Sequence, residues 1–387
     1  MTVHFIPFMM SDRIKDGRWI DKMKDLNIGI IGLGLIGGSI AKALRRVHPQ
    51  YRIIGYNRSE PARLAARADG TCNEVTDKID EHFSDCDYIF LCTPVEHNIT
   101  YLSQLKKIIS DSCIITDVGS VKTNIHDAVE QLGMEKNFIG GHPMAGSEKT
   151  GYEHASDRLV ENAYYIVTPT PHSPADRVDE LVSIVEGIGA IPVVLDYKEH
   201  DRVVSVISHL PHLIAASLVN LVKDSDSDKG YMKLIAAGGF KDITRIASSS
   251  PEMWEQICMT NTENISKFIT LYTDRLLAVK EELDQKNGSA IYQLFETSRD
   301  YRNSFSDNAS GPIAKEYRIY CDIIDESGAI ATIATILATS GINIKNIGII
   351  HNREFEEGVL KIAFYNEKAK EDAVTILGRH NYTVHDK

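Results

Sequence analysis

The chain has 387 residues, 43% of them hydrophobic, enough to bury two or three cores at roughly 100 to 200 residues per domain. Its formal net charge of -12 excludes a broad surface for nucleic acid or an anionic membrane, since those partners require clustered Lys and Arg against phosphate. Cys72, Cys86, Cys92, Cys113, Cys258 and Cys321 lie scattered without a CxxC pair, which argues against a disulfide framework or structural zinc site and reads as reduced thiols.

Residues 1–25 form an N-terminal extension whose short apolar run is broken by Pro7 with no basic stretch ahead of it, unlike a signal peptide. No run reaches the ~18 apolar residues of a membrane span, so a soluble cytoplasmic protein without a membrane partner is expected. From Leu26 the chain alternates short apolar runs with amphipathic stretches: NIGIIGLG, Ile36 to Val47, YRIIGYN, then Glu60 to Ala68. That is strand, helix, strand, helix. Further runs at DYIFLCTP, CIITDVGS, NFIGGHPM and YYIVTPT, separated by helical patterns such as NIHDAVEQLG, continue a buried parallel sheet.

The fold class expected is therefore α/β, with an N-terminal Rossmann-type doubly wound domain over 26–170. The prolines of PTPHSPADR mark its end, before a helix-period run from Val178 to Ile188. From Tyr197 to about Lys286 apolar positions recur at helical spacing, giving an all-α second domain over 171–300 whose apolar faces suit a homodimer. YRNSFSDNASGPIAKE reads as a linker, placed at 301–315. Over 316–387 the order strand, helix, strand, strand, helix, strand is the split βαβ arrangement of a ferredoxin-like α+β domain.

Gly32-Leu33-Gly34-Leu35-Ile36-Gly37 follows the strand Ile28 to Ile31 and opens the helix carrying Ile40 and Leu44, the strand-turn-helix context of a dinucleotide site. Gly32 permits the tight turn, Gly34 close approach to a pyrophosphate and Gly37 close helix–sheet packing; Leu35 and Ile36 start the helix whose N–H groups face the anion. An NAD enzyme usually places an acid about 20 residues further on. Here the second strand ends at Tyr56-Asn57-Arg58-Ser59, without Asp or Glu. Asn57 can bond a ribose without repelling a 2′-phosphate, and Arg58 pairs with that phosphate, stacks on adenine or points into solvent. NAD or NADP is the expected cofactor, with the preference open.

Cys92-Thr93-Pro94 and Asp117-Val118-Gly119-Ser120 end strands at carboxyl edges, where open α/β sheets bind ligands, and this adds Thr93 and Pro94 to the cofactor set. Ser120 and Lys122 sit at a helix start, so Ser120 is a site hydroxyl or an N-cap. GGHPMAGSEKTG holds His142 between Gly141 and Pro143, near the same edge. A histidine accepts a proton near neutral pH, and beside a hydride site it points to oxidation of an alcohol. The plain alternative is a structural histidine in a glycine-rich turn.

Ser208-His209-Leu210-Pro211-His212 puts two histidines three apart on one helical face. Without HExxH or a carboxylate at ligand spacing, no metal is expected, and a polar pair is the simpler reading. Gly238 to Arg245 offers a cation beside flexible backbone.

Together GLGLIGGS, DVGSVKT, GGHPMAGSEKTG, ISHLPH and GGFKDITRIASSSPEMW resemble the prephenate dehydrogenase family, which includes arogenate dehydrogenases; the match spans about Asn27 to Lys286. The resemblance implies that His142 accepts the proton of the prephenate C4 hydroxyl while the C4 hydride passes to nicotinamide. Loss of the ring carboxylate as CO2 then gives 4-hydroxyphenylpyruvate, a step of tyrosine biosynthesis. Ser120 would bond the same hydroxyl and help orient His142, Arg245 would bind a substrate carboxylate, His212 would share the pocket, and Glu148 would order or gate it.

The terminal unit, with DESGAIATIATILATSGINI, resembles an ACT regulatory domain. Such domains bind amino acids beside the loop between first strand and first helix, here Asp325, Ser327, Gly328 and Ala329, and the pathway end product tyrosine is the expected effector. A packing module without ligand is the alternative. Arogenate as substrate, a reductase of the 6-phosphogluconate type, which would use a lysine where this chain offers His142, and an amino-acid-sensing protein on an inactive scaffold complete the competing readings.

Overall fold

A computed structural model of the chain describes residues 25–146, 149–304, 317–323, 328–350 and 358–385. It divides into two compact units, one ending at Ile291 and one starting at Tyr292. The N-terminal extension, apart from residue 25, lies outside the described residues.

The first unit opens on five parallel strands: β1 (Asn27–Ile31), β2 (Arg52–Tyr56), β3 (Glu74–Thr76), β4 (Tyr88–Leu91) and β5 (Ile114–Asp117), in the spatial order β3-β2-β1-β4-β5. The crossovers are helices α1 (Leu35–Val47), α2 (Glu60–Ala68) and α3 (Val95–Leu105), with α4 (Thr123–Gln131) following β5. Alternate strand residues feed two cores. Ile28, Ile30, Ile53, Tyr88 and Phe90 pack on one face with Ile40 and Leu44 of α1, while Ile31, Ile54, Ile89 and Leu91 pack on the other with Leu102, Ile125 and Val129. A strand covered on both faces must be apolar throughout, which is why these strands read as continuous runs.

The order reverses between β1 and β4, so the loops after those two strands flank a crevice at the carboxyl edge. Gly32 makes the exit from β1 at φ 107°, a conformation that a side chain disfavours. Gly37 lies so close beneath it that a Cβ there would stand 2.0 Å from the Gly32 carbonyl oxygen and 2.8 Å from Cys92 Cβ.

The parallel sheet ends at β5, earlier than the apolar runs suggested. β6 (Ile139–Pro143) pairs antiparallel with β7 (Tyr164–Pro169), which pairs parallel with β8 (Ile191–Val194), and this second sheet meets the first at a bridge between Ile115 and Phe138. The cause is the connection: among the described residues between β6 and β7 there is a single turn of 3-10 helix and no helical crossover of the kind that a parallel return requires. The prolines near 170 likewise close a strand rather than a domain. Pro174 caps α5 (Ala175–Gly187), and β8 extends the α/β region to Val194, past the expected end at 170.

Helices come next: α6 (Tyr197–Val204), a π turn over Ser205–His209, α7 (Leu210–Ser225), α8 (Tyr231–Ile235), α9 (Gly238–Thr244), α10 (Pro251–Thr260), α11 (Thr262–Asp284) and α12 (Gly288–Ser304). The stretch Tyr197–Ser225 is long and apolar enough to cross a membrane by length and composition, contrary to the sequence expectation that no segment is. Its His200, Asp201 and His209 are nevertheless buried and hydrogen-bonded within the protein. α12 also runs four residues into the segment read as a linker from 301, and 305–316 lie outside the described residues.

The second unit holds β9 (Tyr317–Ile323), α13 (Ala329–Thr339), β10 (Ile344–Ile350), β11 (Gly358–Phe364), α14 (Glu367–Arg379) and β12 (Val384–His385), with its sheet in the order β10-β11-β9-β12 and every pairing antiparallel. Ile319, Cys321, Leu360 and Ile362 pack under Ile333, Leu337, Ala373 and Leu377 of the two helices.

Gly37→Ala should cost roughly 1–3 kcal/mol, the scale of overpacking a tight contact, and should weaken nucleotide binding because it displaces the turn at Gly32. Thermal unfolding and nucleotide titration check both; a variant equal to wild type in each would remove the packing role of Gly37.

Candidate active site

At the crevice between β1 and β4 lies a cleft of about 580 Å³ lined by Gly32, Leu33, Gly34, Asn57, Arg58, Ser59, Thr93 and Pro94, with Tyr56, Tyr101, Tyr152 and Glu153 completing its wall. Space around Gly34 is open, and the N-terminus of α1 lies directly beyond it. Backbone N–H groups at that terminus and a side-chain-free approach suit a pyrophosphate, so the residues present fit a dinucleotide. Of the expected set, Leu35, Ile36 and Gly37 open α1 behind the cleft and do not line it; Leu33 does. Asn57 Nδ2 donates to the Leu33 carbonyl at 3.1 Å, tying the end of β2 to the glycine turn. Arg58 is exposed at the rim.

The segment after His142 passes over this region. Tyr152 donates to Asp69 Oδ2 at 2.8 Å, Lys42 Nζ sits 4.4 Å over its ring, and Ser156 N donates to Ser39 Oγ at 3.0 Å. Glu148 lies outside the described residues.

His142 stands on β6, buried to 9% exposure. Two buried assemblies hold it. Beneath the strand, Lys122 Nζ is paired with Asp117 Oδ2 and donates to the Gly141 carbonyl at 2.7 Å, while Asp117 accepts from Gly141 N at 3.2 Å and Gly119 N at 2.9 Å. Lys122 and Asp117 are both fully buried, so this pair locks the end of β5 to the backbone that carries the histidine. Beside it, His142 Nδ1 lies 2.8 Å from His200 Nε2, and His200 Nδ1 lies 2.8 Å from Asp201 Oδ1. Asp201 also accepts from Lys122 N, Thr123 N and Thr123 Oγ1 at 2.8, 2.7 and 2.5 Å, capping α4 from outside its own sequence. Ser120 is not the N-cap of α4, which begins at Thr123 after Lys122, and among the described residues no hydrogen bond joins Ser120 to His142. The nitrogen beside His142 belongs to His200.

Burial holds His142 well below the usual histidine value, and the neighbouring His200, Lys122 and His209 push it the same way. It is neutral, the form that accepts a proton. Burial alone would raise Asp201, but the bonds from His200, Thr123 and the α4 backbone outweigh it and hold the carboxyl below its ordinary value.

The histidines of SHLPH make different hydrogen bonds but both meet the Trp254 ring, His209 edge-on at 6.0 Å. His209 Nδ1 accepts from Asn261 Nδ2 at 3.3 Å, and the same amide donates to the Asp201 carbonyl at 2.9 Å. His212 Nδ1 lies 2.9 Å from the Ser208 carbonyl, and its ring stacks on Trp254 at 3.8 Å. Burial lowers His212, and the charge of exposed Arg245 lowers it further, which puts Arg245 and His212 in one electrostatic neighbourhood.

Sequence reading missed His200, Asp201, Asn261 and Tyr152. Tyr197 to Arg202 carries no glycine or proline signature and looks like an ordinary polar helix start; the adjacent His-Asp, just past the strand-rich half, was its only signal.

A nucleotide cleft at the switch point of a parallel sheet, with a buried histidine on a strand of the adjoining sheet, fits a dinucleotide-dependent oxidoreductase. A family model described as the nucleotide-binding domain of prephenate dehydrogenase matches residues 40–194, and one described as its dimerization domain matches residues 196–297. The chain is 38% identical to the prephenate dehydrogenase of Bacillus subtilis, across 92% of this chain and 96% of that protein. Among solved structures it resembles prephenate dehydrogenase from A. aeolicus, described in complex with hydroxyphenyl propionate and NAD+ (33% identity, TM-score 0.69, covering 74% of this chain and 100% of that one). It also resembles Synechocystis arogenate dehydrogenase (30% identity, TM-score 0.66, covering 72% and 100%). The chain belongs to the prephenate dehydrogenase family.

The buried histidines make stability depend on pH. His126 and His209 are lowered from 6.5 to about 4 by burial, and His142 is lowered too. Between those values the unfolded chain takes up protons that the folded chain does not, so stability is full above 6.5 and falls as pH drops towards 4. Each histidine contributes up to ~1.4 kcal/mol per pH unit. Denaturant midpoints at pH 7, 6 and 5 should fall steadily; a flat profile would mean that these rings are not buried neutral.

Proposed function

We propose that this protein oxidises prephenate to 4-hydroxyphenylpyruvate in tyrosine biosynthesis. The observation that carries the reading is the buried His142, hydrogen-bonded to His200 and held by burial below the usual histidine value, in a chain that has a nucleotide cleft and belongs to this family. Bound NAD+ or NADP+ supplies the hydride acceptor, held by the glycine turn, Asn57, Thr93 and the α1 N-terminus. His142 takes the proton of the C4 hydroxyl as the hydride leaves C4. The electron pair of the breaking bond to the ring carboxylate then aromatises the ring, releasing CO2, and the resulting phenolate oxygen takes a proton back to give 4-hydroxyphenylpyruvate. Ser120 is assigned to the same hydroxyl, Arg245 and His212 to the carboxylate end, and Glu148 to ordering the pocket mouth. A dianion entering a chain of net charge -12 needs such a local cation.

Arogenate is the second reading, supported by the likeness to the Synechocystis enzyme; the reacting groups are the same and only side-chain recognition separates the two. We further infer a cytoplasmic homodimer, supported by the family model described as a dimerization domain, and a C-terminal ferredoxin-like unit of the ACT type. The support for that unit is its β-α-β-β-α-β order and its sheet order with β9 and β11 central. The B. subtilis relative aligns over 356 residues, too many of the 387 to exclude it. Tyrosine is the proposed effector. Gly328 and Ala329 sit at the start of α13, with Gly328 at φ 95°, whereas Asp325 and Ser327 lie outside the described residues.

His142→Asn should lower kcat by about 100-fold or more, the scale of general-base catalysis, with KM little changed; an unchanged kcat would remove His142 from the chemistry. Arg245→Ala should instead raise KM strongly, because it removes binding common to substrate and transition state; a change in kcat alone would refute the carboxylate assignment. Parallel assays with NAD and NADP, prephenate and arogenate, and tyrosine titrated calorimetrically set cofactor, substrate and effector. No turnover with either substrate, alongside tyrosine binding, would favour a sensor on an inactive scaffold.

A further inference from the structure

We propose that His200 and Asp201 are positioning residues that fix the tautomer and orientation of His142, forming a His142–His200–Asp201 relay; this rests on His142 being the base of the proposed reaction. The Asp201 carboxylate is an acceptor only. It lies 2.8 Å from His200 Nδ1, so that nitrogen carries the hydrogen. His200 Nε2 is then an acceptor, and 2.8 Å from it stands His142 Nδ1, which must donate. His142 is left with its Nδ1 protonated and its Nε2 lone pair free to take a proton.

The alternative tautomer would put a hydrogen on Nε2 and two lone pairs against each other at the His142–His200 contact, so a neutral pair has one working arrangement. All three residues are buried, with His200 and Asp201 at 1% exposure, and water cannot substitute for a missing partner. When His142 accepts the hydroxyl proton at Nε2 it becomes a cation with both nitrogens protonated. Its Nδ1–H keeps the bond to His200, and Asp201 balances the new charge through the His200 ring. No proton needs to leave Nδ1. The rings meet edge to face at 68°, which holds the plane of His142 as well as its tautomer.

In the full-length enzyme, His200→Ala should lower kcat about 10- to 100-fold, the range for removing a partner that orients a functional histidine, with KM within about twofold. Added imidazole should restore part of the rate. In the His142→Asn background His200→Ala should cost nothing further, because residues acting as a unit are not additive. His200→Gln offers an amide oxygen to His142 and serves the same comparison if the alanine variant is unstable. Nitrogen-15 spectra of histidine-labelled protein, with His142 identified by its absence in His142→Asn, should show Nδ1–H in wild type and a shift towards Nε2–H in the His200 variants.

An Nε2–H tautomer in wild type overturns the relay whether or not the protein turns over prephenate. An unchanged kcat, a loss confined to KM, or an equal loss in the His142→Asn background also overturns it. Wild-type protein inactive on both substrates yet showing Nδ1–H would count against the proposed reaction and for the relay.

Discussion

The site depends on one carboxylate. Asp201 is 1% exposed, and an ion there is tolerated only if hydrogen bonds replace the water it has lost. Oδ1 takes His200 Nδ1 and Lys122 N, while Oδ2 takes Thr123 N and Thr123 Oγ1. Two of these donors are orphan N–H groups at the start of α4, where the helix dipole also favours negative charge. The same interaction therefore ends a helix of the α/β region, anchors the first helix after it, and orients the ring that faces His142. Removing it would leave several buried donors unpaired at once, in a place where each is expensive.

A buried ion pair divides the electrostatic work. Lys122 and Asp117 neutralise each other under β6, and their remaining bonds go to the Gly119 and Gly141 backbone rather than to any reacting group. Their service is geometric, since they fix where the His142 backbone lies. The Lys122 charge also adds to burial in disfavouring a protonated His142. Another positive charge, Arg245, stands near His212, whose ring stacks on Trp254. The Arg245 charge, which acts on His212, is thus distinct from the Lys122 charge, which acts on His142.

Much of the fold was legible because its signals are local. The turn at Gly32, the helix from Leu35 and the continuous apolar strands arise from backbone sterics and burial on two faces, and α2 falls on Glu60–Ala68 as its periodicity required. Strand direction was not legible. An apolar run such as Phe138 to Pro143 reports burial but not polarity, and only the absence of a helix before Tyr164 betrays the antiparallel return. The chemistry divides in the same way. His142 and Arg245 announce themselves through the glycines around them, whereas His200 and Asp201 owe their role to partners 58 and 79 residues away. Hydrogen bonds of that range leave no periodic trace in a single sequence.

The stretch Tyr197–Ser225 shows why such a segment can look like something else. Its composition passes for a membrane span, yet one side of it carries His200, Asp201 and His209 into the protein while Ile207 and Leu221 on the rest are each 62% exposed. The π turn between its two helices, where Leu210 N–H reaches back five residues to the Ser205 carbonyl, inserts an extra residue into the helical register. That insertion rotates the start of α7 relative to α6, so His209 meets Asn261 while His212, one turn on, stacks against Trp254. An apolar outer face is what a dimerization domain needs, and the family model of that description covers this segment. Apolar composition and buried polar chemistry are therefore two faces of a single helical segment, and hydropathy registers only the first.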